Sequence, residues 1–111
     1  MNYNNKRFRL ITNAEHGEIT SNTIFLYKQN GRIVTSCYEG ESIIKGHLMG
    51  LVEDDGTINM AYHQVNKNGA LKTGICTSKP KITKTGKLRL YESWQWTSGD
   101  NTKGESVLEE L

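Results

Sequence analysis

Polar and apolar side chains alternate along much of this chain. In GKLRLYESWQWT, Leu88, Leu90, Glu92, Trp94 and Trp96 share one side of an extended segment, opposed by Lys87, Arg89, Ser93, Gln95 and Thr97. Neighbouring side chains of a strand point to opposite faces, so a period of two predicts a strand with one face turned inward and one wet. TINMAYHQV repeats the pattern, with Ile58, Met60, Tyr62 and Gln64 on the more apolar face against Thr57, Asn59, Ala61 and His63. In LKTGICTS, Leu71 and Ile75 alternate with Lys72 and Gly74, which makes the two aliphatic residues the expected inward pair.

Elsewhere the phase is less clean. In SIIKGHLMGLV, Ile44, Leu48 and Val52 share a face with Gly46 and Gly50, while Ile43, Met49 and Leu51 share the other with Lys45 and His47. Glycines inside a strand mark strong coiling or a close backbone approach, as when a sheet curls into a barrel. In GEITSNTIFLYKQ, Ile24 and Leu26 compete with Phe25 and Tyr27, consistent with a bulge at Ser21 and Asn22, and the strand's orientation stays open.

Between these runs lie HG at 16–17, NG at 30–31, EGES at 39–42, DDG at 54–56, NKNG at 66–69, TKTG at 83–86 and SGDNTKG at 98–104. Each offers a glycine or asparagine able to take the positive φ that tight hairpins need. No segment carries apolar residues at helical spacing through three capped turns, leaving at most a helical turn near SNTI or in the C-terminal VLEEL. Pro80 has no amide proton to give, so KPKIT suits a bulge or an edge. The expectation is all-β: an antiparallel up-and-down meander closing into a small, about eight-stranded, lipocalin-like barrel. At 111 residues, 1–111 is read as one domain.

Charge adds little to this picture. Fourteen basic and 12 acidic residues leave a net charge of +2 in scattered groups, too weak a field to select nucleic acid or anionic lipid. Arg89, Tyr91 and Lys87, with Arg7 and Arg9 nearby, hint at a basic aromatic strand, but one such strand is usually a solvated surface. The N-terminal MNYNNKRFRL lacks an apolar signal core and no run is long enough to span a membrane, so a cytoplasmic location is expected. In a reducing compartment Cys37 and Cys76 are expected as free thiols, packed as small hydrophobes. His16, His47 and His63 show no ligand spacing, so neither metal nor cofactor is expected, and no nucleophile motif marks a catalytic residue.

The strings GHLMGLVEDDGTINMAYHQVN, TGICTS and YESWQWTSGD resemble a family of small bacterial proteins of about this length. YHQVN and WQWTSGD are their most distinctive parts. The resemblance spans nearly the whole chain, implies a lipocalin-like or other calycin-type barrel by analogy, and brings with it the label N-acetylglutamate synthase. Acetyl-coenzyme A transfer in the common acetyltransferase fold uses a glycine-rich Arg/Gln-x-x-Gly-x-Gly/Ala turn at a helix N-terminus, and this chain has none. Lipocalins carry Gly-x-Trp on their first strand, whereas both tryptophans here are near the C-terminus.

A barrel makes the β-face of Leu88 to Trp96 a lining. The indoles would supply wide apolar walls with one N–H each, and an inward Glu92 would need a partner, with Tyr62, Gln64, Arg7 or Arg9 as candidates. Tyr62, Gln64, Glu92, Trp94 and Trp96 are therefore the candidate ligand-binding residues, for a small apolar or amphipathic molecule. Against this stands a purely structural role, with the tryptophans plugging the barrel. A homodimer joined through an outer face or through ESVLEEL is the second functional reading, favoured if Ile43, Met49, Leu51 and Tyr91 are exposed together.

Overall fold

The alternating segments form nine strands: β1 (Arg7–Asn13), β2 (Ile24–Leu26), β3 (Lys28–Asn30), β4 (Ile33–Tyr38), β5 (Ile43–Val52), β6 (Ile58–Asn66), β7 (Leu71–Ile82), β8 (Leu88–Trp96) and β9 (Lys103–Glu110). The computed structural model describes residues 2–13, 23–40, 42–99 and 101–111. All neighbours pair antiparallel in one sheet, ordered β2-β1-β9-β8-β7-β6-β5-β4-β3. Only Tyr27 separates β2 from β3. Its amide donates to Lys6 O at 2.9 Å and its carbonyl accepts from Asn5 N at 2.8 Å, prolonging the pairing with β1 just before β3 turns to β4. The run from Ile24 to Asn30 is thus one broken strand shared between the two ends of the meander. Counted so, the barrel is nearly closed with the expected eight strands.

Three hairpins reuse one turn. At residues 53–57, 66–70 and 83–87 the first residue's amide donates to the carbonyl four residues on, and the glycine at the fourth place donates back to the first carbonyl. Those glycines, Gly56, Gly69 and Gly86, have φ of 89°, 80° and 84°, a left-handed geometry that a β-carbon resists. The HG pair at 16–17 lies outside the described residues, as do Glu41 of EGES and Asp100 of SGDNTKG.

Strand phase follows the sequence in β6 and β8 and departs from it in two others. In β5 the register slips between Ile43 and Lys45, so Ile43 is 1% exposed and Ile44 50%, the reverse of the simple alternation. The bulge hands the inward direction from Ile43 to Gly46, Leu48, Gly50 and Val52. In β7 the expected inward pair faces out, with Leu71 65% and Ile75 50% exposed. Gly74, Cys76 and Ser78 point inward instead because their cross-strand neighbours are bulky: Tyr62 and Trp96 flank Gly74, and Met60 and Trp94 flank Cys76. Small residues of β7 make room for large ones on both sides, keeping the packed volume constant.

In β2, Phe25 is buried while Ile24 and Leu26 are exposed, and Tyr27 is buried after them. The bulge suggested at Ser21 and Asn22, and with it the start of SNTI, lies outside the described residues. VLEEL is the end of β9, not a helical turn. Pro80 sits where β7 has passed the last β6 pair, Ile58 with Ser78, and has only β8 beside it, so its missing donor breaks no ladder. Both cysteines are free; Cys76 is buried as expected, but Cys37 is exposed.

Candidate ligand cup in the barrel lumen

One end of the barrel is shut by its own side chains. The segment before β1 turns at Asn5 (φ 63°), which brings Tyr3 under the sheet. The Tyr3 hydroxyl donates to Gly56 O at 2.5 Å, and its ring packs 6.5 Å from Phe8 and 6.2 Å from Tyr27. Burial, aided by the charge of Asp55, pushes the Tyr3 phenol up to about 12. Val34, Val52, Ile58 and the first two inward residues of β8, Leu88 and Leu90, complete this floor.

Above the floor lies a cavity of about 60 Å³. Its wall on β8 begins with Glu92 and continues to Trp94 and Trp96, whose rings are 5.9 Å apart. Trp94 Nε1 donates to Ser106 Oγ of β9 at 2.8 Å, so the buried indole proton is satisfied and the ring held against the wall. Trp96 meets Tyr62 edge to face at 5.6 Å and 70°. They meet over Gly74, where a β-carbon would overlap the Tyr62 ring. A second couple has the same construction: Tyr38 donates to Gln64 Oε1 at 2.8 Å across Gly46, where a β-carbon would overlap the Tyr38 ring. Near this upper end Lys72 Nζ stands 4.1 Å over Trp96.

Glu92 is the anomalous wall residue. Its register neighbours are Ser78 on β7 and Ser106 on β9. Loss of hydration raises its carboxyl to about 7, and the Ser78 hydroxyl beside it offsets only part of that rise. Ser78 Oγ and the Tyr27 hydroxyl are both buried without a hydrogen bond of good geometry. Burial also pushes the Tyr27 phenol and the Cys76 thiol well up, and the negative charge of Glu92 adds to both. Arg7 and Arg9 do not reach Glu92; both lie exposed on the outer face, where Arg9 pairs in register with Glu109. Glu109 also accepts from Arg89 Nε at 2.8 Å and lies 3.8 Å from Lys87 Nζ, so the basic strand carries its own counter-charge.

All five sequence-predicted residues, Tyr62, Gln64, Glu92, Trp94 and Trp96, come together on the cavity wall. Sequence reasoning missed the opposite wall, Phe25, Tyr27 and Tyr38, and the Ser106 that holds Trp94. Phe25 and Tyr27 had a signal in their alternate spacing, but Ile24 and Leu26 masked it. His47 and His63 stack at 5.5 Å on neighbouring strands, and no group of three or more His, Cys, Asp or Glu among the described residues is placed to hold a metal. No helix among the described residues is long and apolar enough to cross a membrane.

An antiparallel meander, stoppered at one end and hollow above the stopper, defines the calycin-like class of barrels. Within that class the assignment is specific: the model of the family described as avidin-like protein matches residues 1–111, and the chain belongs to that family. No curated protein matches the chain.

Proposed function

We propose that this protein is a non-enzymatic carrier or receptor that holds one small, partly apolar molecule in its lumen. The observation that carries this reading is the wall itself: indole, phenol and aliphatic surface interrupted by a few converging polar groups, Gln64, Glu92 and the hydroxyl of Tyr27. Small-molecule sites have this composition. The hollow is narrow, so a compact group enters it while the rest of the ligand lies toward Trp96 and Lys72. The five wall residues named from sequence are the proposed contacts, and residues 1–111 act as one binding unit.

Both tryptophans line the cavity, so intrinsic fluorescence reports its occupancy directly. Titration with acyl compounds, lipids, small aromatics and biotin, the last included because of the family's name, should give a saturable change in emission with at least one compound. That change should weaken on replacing Tyr62 or Trp96 by alanine. A flat response across the panel removes the reading.

A second reading, a homodimer through the outer face, is favoured by one observation. Ile33 pairs with Leu51, Thr35 with Met49, Met49 with Ala61 and Ala61 with Ile75, which aligns exposed aliphatic side chains across β4 to β7. Ile43 is in the core rather than on this face, and Tyr91 is exposed on β8 beyond it. Light scattering over a wide concentration range tests it; a particle of 12.5 kDa throughout excludes it. The acetyltransferase label would require release of free thiol from acetyl-coenzyme A with glutamate present, and no turnover is expected.

A further inference from the structure

We infer that the cup selects a small organic cation, an ammonium or amidinium group on a compact apolar body, with Glu92 as its counter-ion. The inference rests on the binding reading above and names the class of ligand. Its first support is a charge imbalance in the lumen. Among the described residues no basic side chain lines the lumen cavity with Glu92; Lys72 is held over Trp96 near the upper end, and Lys79 shares with Glu92 only a separate hollow. Every titratable group facing Glu92 is itself an acid: Cys76 from β7, Tyr27 from the β2–β3 link, Tyr38 from β4 and Tyr62 from β6. The other packed strands, β1, β5 and β9, present Leu10, Leu48, Ser106 and Leu108. No cation in this wall offsets a negative charge; the Ser78 hydroxyl does so only in part, and the Tyr27 phenol and Cys76 thiol stay protonated and carry no charge of their own.

A second support is geometric. The rings of Trp94, Trp96, Tyr62 and Tyr38 line the cavity together with the carboxylate, which gives a box with a negative base, and aromatic surface attracts a cation. Once water is displaced that attraction is less screened, so the carboxylate and rings act together on the same guest. Tyr27 places an unpartnered phenol oxygen beside this base, able to accept one N–H while Glu92 accepts another. An anion would meet repulsion at the base, and a neutral guest would gain no charge pairing with Glu92.

Three probes of one shape separate these cases: benzamidine, a cation; benzamide, neutral; and benzoate, an anion. Calorimetry and tryptophan fluorescence on the full chain at pH 8 should show benzamidine binding at least tenfold more tightly than benzamide, with benzoate weakest. The preference should shrink several-fold toward pH 5.5, where benzamidine remains charged and Glu92 takes up a proton, and in Glu92→Gln the ratio should fall to about one. Equal or tighter binding of benzamide or benzoate, or a preference that survives in Glu92→Gln, overturns the inference while leaving the cup intact. Silence from all three probes also overturns it; if the wider panel is silent too, the binding reading falls with it.

Discussion

Replacing Glu92 by glutamine should make the protein more stable, and only above a definite pH. The carboxyl ionises near 7 in the folded barrel, against an ordinary value of 4.5. The folded state therefore holds this proton more tightly than the unfolded chain does, so the contribution of Glu92 to stability is fully present below 4.5 and is lost as the pH climbs through 7. Each pH unit in that window is worth about 1.4 kcal/mol, which puts the cost of housing the charged form at about 3 kcal/mol once the pH exceeds 7. Glutamine has nearly the same shape and no charge, so it escapes the cost. Urea denaturation of both proteins at half-unit steps from pH 4 to 8.5 measures the difference. Carboxylates that fold with depressed values, such as Glu109 and Glu110, titrate identically in both proteins and cancel. The two curves should run together at pH 4 and separate through pH 5 to 7. At pH 8 the variant should lead by about 3 kcal/mol, or about 1–3 M in urea midpoint. A difference that stays constant from pH 4 to 8.5 would show that Glu92 is not kept from water in the lumen, and the account of the cup's base would fail.

Three further outcomes follow from the same geometry. Gly74→Ala should cost about 1–3 kcal/mol in urea denaturation, because the new methyl group displaces the Tyr62 ring from Trp96, and near-ultraviolet dichroism from that pair should diminish. Ser106→Ala should cost about 1–3 kcal/mol by leaving the buried Trp94 N–H without an acceptor, whereas Ser106→Thr, which keeps the hydroxyl, should lose less. A thiol reagent should titrate one cysteine in the native protein, the exposed Cys37, and the second only in denaturant, since Cys76 is buried and its thiol is held protonated.

How far the fold could be read from sequence depended on how much volume each strand directs inward. β8 and β6 place large side chains on the lumen, so their alternation was visible and the five candidate residues came from them. β7 does the opposite: its inward residues, Gly74, Cys76 and Ser78, are small because their neighbours are large, and a rule that sends Leu71 and Ile75 inward picks the wrong face. Strand phase is set jointly by adjacent strands, and a single segment holds half of that information. The slip at Ile43 in β5 is local backbone geometry with no residue type to announce it. Phe25, Tyr27 and Tyr38 reach the cavity from strands remote in sequence, and only the ring closure puts them opposite Trp94 and Trp96. The need of Glu92 for company was evident from its place in the alternation; that serines flank it, with no arginine, required the register.

The seam between β1 and β9, where Phe8 lies opposite Glu110, has a consequence for the order in which the barrel assembles. Ser106 and Leu108 are cavity wall, and β9 is the ribbon that joins β1 to β8. Before β9 docks, Trp94 lacks the Ser106 acceptor for its indole proton and Glu92 stays hydrated on an unrolled sheet. The hollow and its electrostatic penalty are therefore both completed by that one ribbon, and a sheet without it has neither.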